Sequence, residues 1–170
     1  PETKDFLERM DKSLEKLKNL IEAVLLFSKN QEINISDVSI NSLIEEIIFD
    51  LEDKISGKNI SLNFHKNNDI CLKTDDALLQ RLLFNIIENS IKYNVEDGKI
   101  DIFIKDLDDK VQIDVIDTGI GISDEQKEKI FDLFYQVDNS RHNEGFGIGL
   151  SLCKQIADSL KAKIEVSDNL

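Results

Sequence analysis

The chain has 170 residues, 41% apolar and 32% charged, with a formal net charge of −13. That length supports one domain with a sizeable core plus an appendage, and the acidic balance argues against a nucleic-acid or anionic-membrane surface. No apolar run approaches the ~18 residues of a membrane span and no signal-peptide pattern appears, so a cytoplasmic setting is expected, with a membrane anchor upstream of Pro1 left open.

Residues 1–31 are read as a dimerisation helix. From Phe6 to Ser28 the residues Leu7, Met10, Leu14, Leu17, Ile21 and Val24 step alternately by three and four, the seam of a coiled coil or bundle that needs a partner. Residues 32–170 form the second unit. After an Ile33/Ile35 alternation, Leu43, Ile44, Ile47, Ile48, Leu51 and Ile55 predict one helix ending at Gly57, with Ser42 and Glu45 as its capping box. Ile60, Leu62 and Phe64 predict a strand, Ile70 and Leu72 a second, with a polar turn from His65 to Asp69 between them.

Thr74-Asp75-Asp76 caps the central helix, whose apolar face is Leu78, Leu79, Leu82, Leu83, Ile86, Ile87 and Ile91. Its other stripe is Arg81, Asn85, Glu88, Asn89 and Lys92. A plain wet face would favour Glu, Lys and Arg, because Asn competes for nearby backbone groups within a helix. Two Asn four residues apart lie one above the other, and neutral oxygens beside the Lys92 ammonium suit a hydrated Mg2+ with its phosphates. Beyond the Glu96-Asp97-Gly98 turn come two alternating strands, Ile100/Ile102/Ile104 and Val111/Ile113/Val115. The pattern is an α/β (α+β) sandwich, with a mixed sheet covered by helices. Cys71 and Cys153 are isolated and expected to be reduced and partly buried.

The second of these strands ends in Asp117-Thr118-Gly119-Ile120-Gly121-Ile122. Spaced glycines let a flat ligand approach the backbone, and the carboxylate can accept from an amine; a tight Asp-x-Gly turn is the plain alternative. Ser123 to Gln126 opens a short helix reaching Phe131-Asp132-Leu133-Phe134. A polar loop with Arg141 and His142 follows and ends in Gly145-x-Gly147-x-Gly149-Leu150, a mobile lid leading to a helix start that can seat phosphate. The last helix turns Leu150, Cys153, Ile156, Ala157 and Leu160 inward.

Taken in order, Asn85-x3-Asn89-x2-Lys92-Tyr93, Asp117-x-Gly119-x-Gly121, Phe131-x2-Phe134 and Gly145-x-Gly147-x-Gly149-Leu150 resemble the ATP-binding catalytic domain of two-component sensor histidine kinases. The leading segment, with its Ser28-Lys29 ending, looks like the second helix of that family's dimerisation and phosphotransfer hairpin. The resemblance implies the ATP-binding fold shared with gyrase and heat-shock chaperone ATPases, with ATP and Mg2+ as cofactors. It implies Asn89 as the Mg2+ ligand, Asn85 and Lys92 assisting at the phosphates, and Asp117 receiving the adenine amine. Tyr93, Gly119, Gly121, Ile122 and Phe131 would line the nucleotide, while Arg141, Gly145, Gly147, Gly149 and Leu150 would close over the phosphates. Asn85, Lys92 and Arg141 would be the catalytic set.

The implied activity is transfer of the γ-phosphoryl group to a histidine, in signalling to a response regulator, from a homodimer joined through the N-terminal helix. Related gyrase-like ATPases place a water-activating Glu where Asn85 stands, so hydrolysis should be slow. The family's acceptor His, followed by an acidic residue, lies on the first hairpin helix, outside this sequence, and neither His65 nor His142 has that context. Autophosphorylation of this chain is therefore not expected. Three departures stand out: Glu144 where glycine is usual, Leu160-Lys161-Ala162 replacing a small-residue turn before the last strand, and missing closing strands after Ile164-Glu165-Val166. Two other readings stay open, a nucleotide-sensing module without kinase activity and a protein-serine kinase of the anti-sigma type.

Overall fold

The computed structural model describes residues 32–66, 70–136 and 147–168, together with residues 6, 7, 10, 13, 14, 17 and 21. Those seven positions are helical, as the heptad rhythm predicts, and Phe6, Leu7, Met10, Leu14, Leu17 and Ile21 are exposed. Val24 and the Ser28-Lys29 ending lie outside the described residues. Among the described residues no helix is long and apolar enough to cross a membrane.

Strand β1 (Ile35–Ser39) leads directly into helix α1 (Ile40–Asp50). The helix starts earlier than the Ser42/Glu45 pattern predicts: Ser39 is the N-cap, its hydroxyl accepting from the Ser42 N–H at 3.3 Å. Ile40 decides this, because its side chain is fully buried and its N–H donates to the Ile70 carbonyl at 3.0 Å. The single helix predicted to Gly57 is in fact two. Leu51 is buried and closes α1 by donating to the carbonyls of Ile47 and Ile48, after which α2 (Glu52–Gly57) follows. Lys58 and Asn59 then form a turn, with Asn59 in the left-handed region at φ 51°.

Strands β2 (Ser61–His65) and β3 (Cys71–Asp75) are adjacent in sequence yet belong to different sheets. β3 pairs antiparallel with β1, from Ile35↔Asp75 to Ser39↔Cys71. β2 instead runs parallel to β4 (Lys99–Leu107), with Ser61 opposite Lys99 and His65 opposite Phe103. β4 turns back into β5 (Lys110–Asp117), giving the order β2-β4-β5. The sheet is mixed, as the sequence predicts, because the parallel pair needs a long crossover, which β3 and helix α3 (Asp76–Lys92) provide.

Alternation in β4 sends Ile100, Ile102 and Ile104 into one core with Ile40, Ile44 and Ile47 of α1, Ile87 of α3, and Cys153 and Ile156 of α5 (Gly149–Ser159). Each such buried aliphatic side chain contributes about 1.5–3 kcal/mol. The opposite face of the sheet is polar. There Asp101 accepts from His65 Nε2 and Lys99 Nζ, both at 2.7 Å, and the His65 ring stacks on Phe103 with centroids 4.2 Å apart. The His65 hydrogen bond first, and Lys99 second, hold the Asp101 carboxyl down at about 2.

Three further expectations are corrected. Cys71 is exposed and Cys153 is buried, where both were expected to be partly buried. Helix α4 is one turn, Asp124–Lys127, with a capping box between Ser123 and Gln126; turns, not helix, carry the chain through Phe131 and Phe134. Residues 162–168 form no strand, although Ile164 packs against the core.

Candidate active site

Helix α3 is the spine of the site. Its N-cap Asp75 is buried and uses both oxygens: Oδ1 accepts from the Leu78 N–H at 3.0 Å and Oδ2 from the Asn34 N–H at 2.8 Å. Leu78, Leu79, Leu82, Leu83, Ile87 and Ile91 are buried, which fixes the helix's rotation and turns the Arg81–Asn85–Glu88–Asn89–Lys92 stripe away from the core. Ile86, read as part of the inward face, is half-buried. Glu88 pairs with Lys54 of α2 and so belongs to the surface.

Asn85 Nδ2 donates back to the Arg81 carbonyl at 2.8 Å, which orients the amide and turns Oδ1 toward α5. A Cβ placed on Gly149, the first residue of α5, would lie 3.4 Å from Asn85 Oδ1 and 3.9 Å from Asn89 Nδ2. The two amides and the start of α5 therefore share one surface. N–H groups at a helix start favour anions, and the amide oxygens favour a cation carried with them. Lys92 is half-buried, with its ammonium 5.0 Å from the centre of the Tyr93 ring.

The far end of α3 holds the second half of the site. The Tyr93 carbonyl accepts from the Ile120 N–H at 3.2 Å. Asp117, the last residue of β5, is half-buried, and its Oδ1 accepts from the Gly119 N–H at 2.8 Å. A Cβ on Gly119 would stand 2.6 Å from the Tyr93 carbonyl oxygen and 2.8 Å from Asp117 Oδ1, so only glycine lets the loop lie this close. Gly121 takes φ +71° and Ile122 is half-buried.

The third piece is brought in by Gly147. It sits at φ +67°, where a Cβ would meet the Tyr135 carbonyl oxygen at 2.3 Å, and its own carbonyl accepts from the Phe134 N–H at 3.0 Å. This contact ties the Phe131–Phe134 turn to the approach of α5. Phe131 and Leu150 are half-buried, and Phe134 is exposed. Arg141, His142, Glu144 and Gly145 lie outside the described residues.

The structure thus brings together Asn85, Asn89 and Gly149 at one place on α3, and Tyr93, Asp117 and Gly119 at its C-terminal end. Sequence reasoning missed Asn94, which is buried and donates from Nδ2 to the Lys99 carbonyl at 3.2 Å while its Oδ1 accepts from Thr118 Oγ1 at 3.2 Å. The available signal was an Asn just past the helix end followed by Gly98, where a Cβ would lie 2.2 Å from Asn94 Oδ1.

An amide pair facing a glycine-opened helix, with an acid–glycine loop held at the end of the same spine, places the chain in the class of α/β-sandwich nucleotide-binding ATPase domains. The particular family follows from comparison with known proteins. Residues 74–170 match the family described as histidine kinase-, DNA gyrase B-, and HSP90-like ATPase, and the chain belongs to it. It is 50% identical over 98 residues to the sensor protein CiaH of Streptococcus pneumoniae, which covers 56% of this chain and 22% of that protein. The nucleotide-free catalytic domain of the histidine kinase ThkA matches with a TM-score of 0.72 at 32% identity, over 81% of this chain and 88% of that one. ThkA in complex with the response regulator protein TrrA matches with a TM-score of 0.79 at 28% identity, over 98% of this chain and 48% of that one. The chain spans less than a quarter of the length of its relative CiaH.

Proposed function

We propose that this chain is the ATP·Mg2+-binding catalytic portion of a sensor histidine kinase. It transfers the γ-phosphoryl group of ATP to a histidine on another helix of the full-length protein, which then signals to a response regulator. One observation carries this reading: a single helix presents Asn85 and Asn89 to the start of α5 and, at its end, Tyr93 to the Asp117–Gly119 loop. That spacing suits a ligand with a planar amine-bearing base at one end and anionic groups at the other.

In this reading the Asp117 carboxylate accepts from the adenine amine, and Tyr93, Gly119, Gly121, Ile122 and Phe131 line the base. Asn85 and the backbone of Gly147, Gly149 and Leu150 orient the phosphates, with Lys92 compensating charge. The described residues fit Mg2+ in the manner of a phosphate-carried ion. Among them no cluster of His, Cys, Asp or Glu is placed to hold a metal, whereas the Asn89 amide oxygen is a hard neutral donor. Bound there, Mg2+ supplies charge neutralisation at the phosphates. Arg141 and Gly145 complete the site from the lid. No carboxylate occupies position 85, so no side chain there activates water, and phosphate is conserved for a protein acceptor. Residues 1–31 form the dimerisation helix, whose exposed Leu7, Met10, Leu14, Leu17 and Ile21 are the seam of a homodimer, in a cytoplasmic part of the parent.

Calorimetry with ATP·Mg2+ tests the assignment. Asp117→Ala is expected to weaken adenine nucleotides by about 1.5–3 kcal/mol, the worth of a charge-assisted hydrogen bond. An unchanged affinity refutes it. With labelled ATP, phosphate is expected on a separately supplied hairpin carrying the acceptor histidine, and none on His65 or His142.

A further inference from the structure

Lys58 lies in the turn after α2, far in sequence from every residue of the site, and is half-buried. Its ammonium donates to three carbonyls at the end of α3: Ile91 at 3.1 Å, Lys92 at 2.6 Å and Asn94 at 3.2 Å. Its own carbonyl accepts from the Asp97 N–H at 3.1 Å, so it also holds the turn that follows. The last carbonyls of a helix have no partners within it and carry the negative end of its dipole; a cation there satisfies both needs.

The contacts continue from that helix end into the acid–glycine loop. The Tyr93 carbonyl, between two that Lys58 takes, accepts from Ile120 at 3.2 Å. Asn94 Oδ1 accepts from the Thr118 hydroxyl at 3.2 Å, and that hydroxyl accepts from the Lys99 N–H at 2.8 Å. Thr118 stands between Asp117 and Gly119. Two links therefore run from the helix end that Lys58 caps into residues 117–120.

We infer that Lys58 is a positioning residue for base recognition, resting on the nucleotide reading above. It touches no ligand. It fixes the last turn of α3, so that Tyr93 and Asn94 hold the Asp117 carboxylate at the place where an exocyclic amine will arrive. Without the ammonium, the Ile91 carbonyl keeps the Asn94 N–H at 3.3 Å, but the Lys92 and Asn94 carbonyls lose this donor, the turn loosens, and the loop keeps its residues but not its register. The loss falls on discrimination between bases rather than on phosphate binding.

The test is the ratio of affinities for ADP and IDP, measured with Mg2+ by calorimetry on the full chain. IDP carries an oxygen where ADP carries the amine, so wild type is expected to prefer ADP by at least about tenfold. Lys58→Met is expected to lower that preference to within about threefold, and Lys58→Arg, which keeps the cation, to restore most of it. A residue acting only on overall stability scales both affinities together and leaves the ratio intact. If Lys58→Met does not fold, Lys58→Ala, which removes the donor altogether, serves in its place. A full ADP preference in folded Met or Ala variants overturns the inference. Failure of wild type to bind ADP at all overturns the site assignment itself, a separate outcome.

Discussion

Gly149→Ala separates the fold from the site. Gly149 opens α5 without a positive φ, so alanine adopts its conformation without strain. The added methyl would sit 3.4 Å from Asn85 Oδ1 and 3.9 Å from Asn89 Nδ2, ordinary contact distances that require no rearrangement. Replacing a helical glycine by alanine stabilises by up to about 1 kcal/mol, so the melting temperature is expected to rise by roughly 2–4 °C. The same methyl covers the surface shared by the two amides and the helix start. Losing one hydrogen bond to a charged phosphate there costs about 1.5–3 kcal/mol, or roughly 10- to 150-fold in ATP·Mg2+ affinity. Scanning fluorimetry and calorimetry on one preparation read both numbers. A stabilised variant that binds ATP·Mg2+ as tightly as wild type would show that the amides and α5 do not share a ligand.

Other outcomes follow from the packing. Asp75→Ala removes a helix cap and leaves the Asn34 N–H unpaired, and is expected to lower unfolding free energy by about 2–3 kcal/mol in urea titrations. Burial pushes the Cys153 thiol up to about 12, so native protein is expected to react with a thiol reagent at Cys71 alone, and denatured protein at both, counted by mass spectrometry. The Asp101 carboxyl lies below its ordinary value of 3.8, at about 2, so its contribution to stability is present above pH 3.8 and lost as pH falls toward 2. Lys99→Met is expected to reduce the slope of the stability profile across that window in part, with the His65 hydrogen bond still in place, read by urea unfolding at stepped pH.

The apolar rhythm of α3 and the alternation of β4 and β5 were legible because each repeats over several turns or residues and answers to one core. The Asp75 cap and the Asp117-x-Gly119 loop were legible for a related reason, since their chemistry is local. The start of α1 was not, because the Ser42/Glu45 pattern is a sound capping box overruled by the buried Ile40 and its bond to Ile70. The break at Leu51 has no Gly or Pro to announce it, only burial of the leucine. The parallel pairing of β2 with β4 joins residues 38 apart in sequence. Lys58 was invisible for the same reason, its three acceptors lying 33 to 36 residues away.

The two oxygens of Asp75 also have a mechanical meaning. One grips the opening turn of the amide-bearing helix, the other the backbone of Asn34 just ahead of β1, 41 residues earlier in the chain. Parting them would leave a buried carboxylate oxygen without its donor, so the entry to β1 and the opening turn of α3 are held together. The entry to the β1–β3 pair is thereby pinned to the root of the helix that carries Asn85 and Asn89.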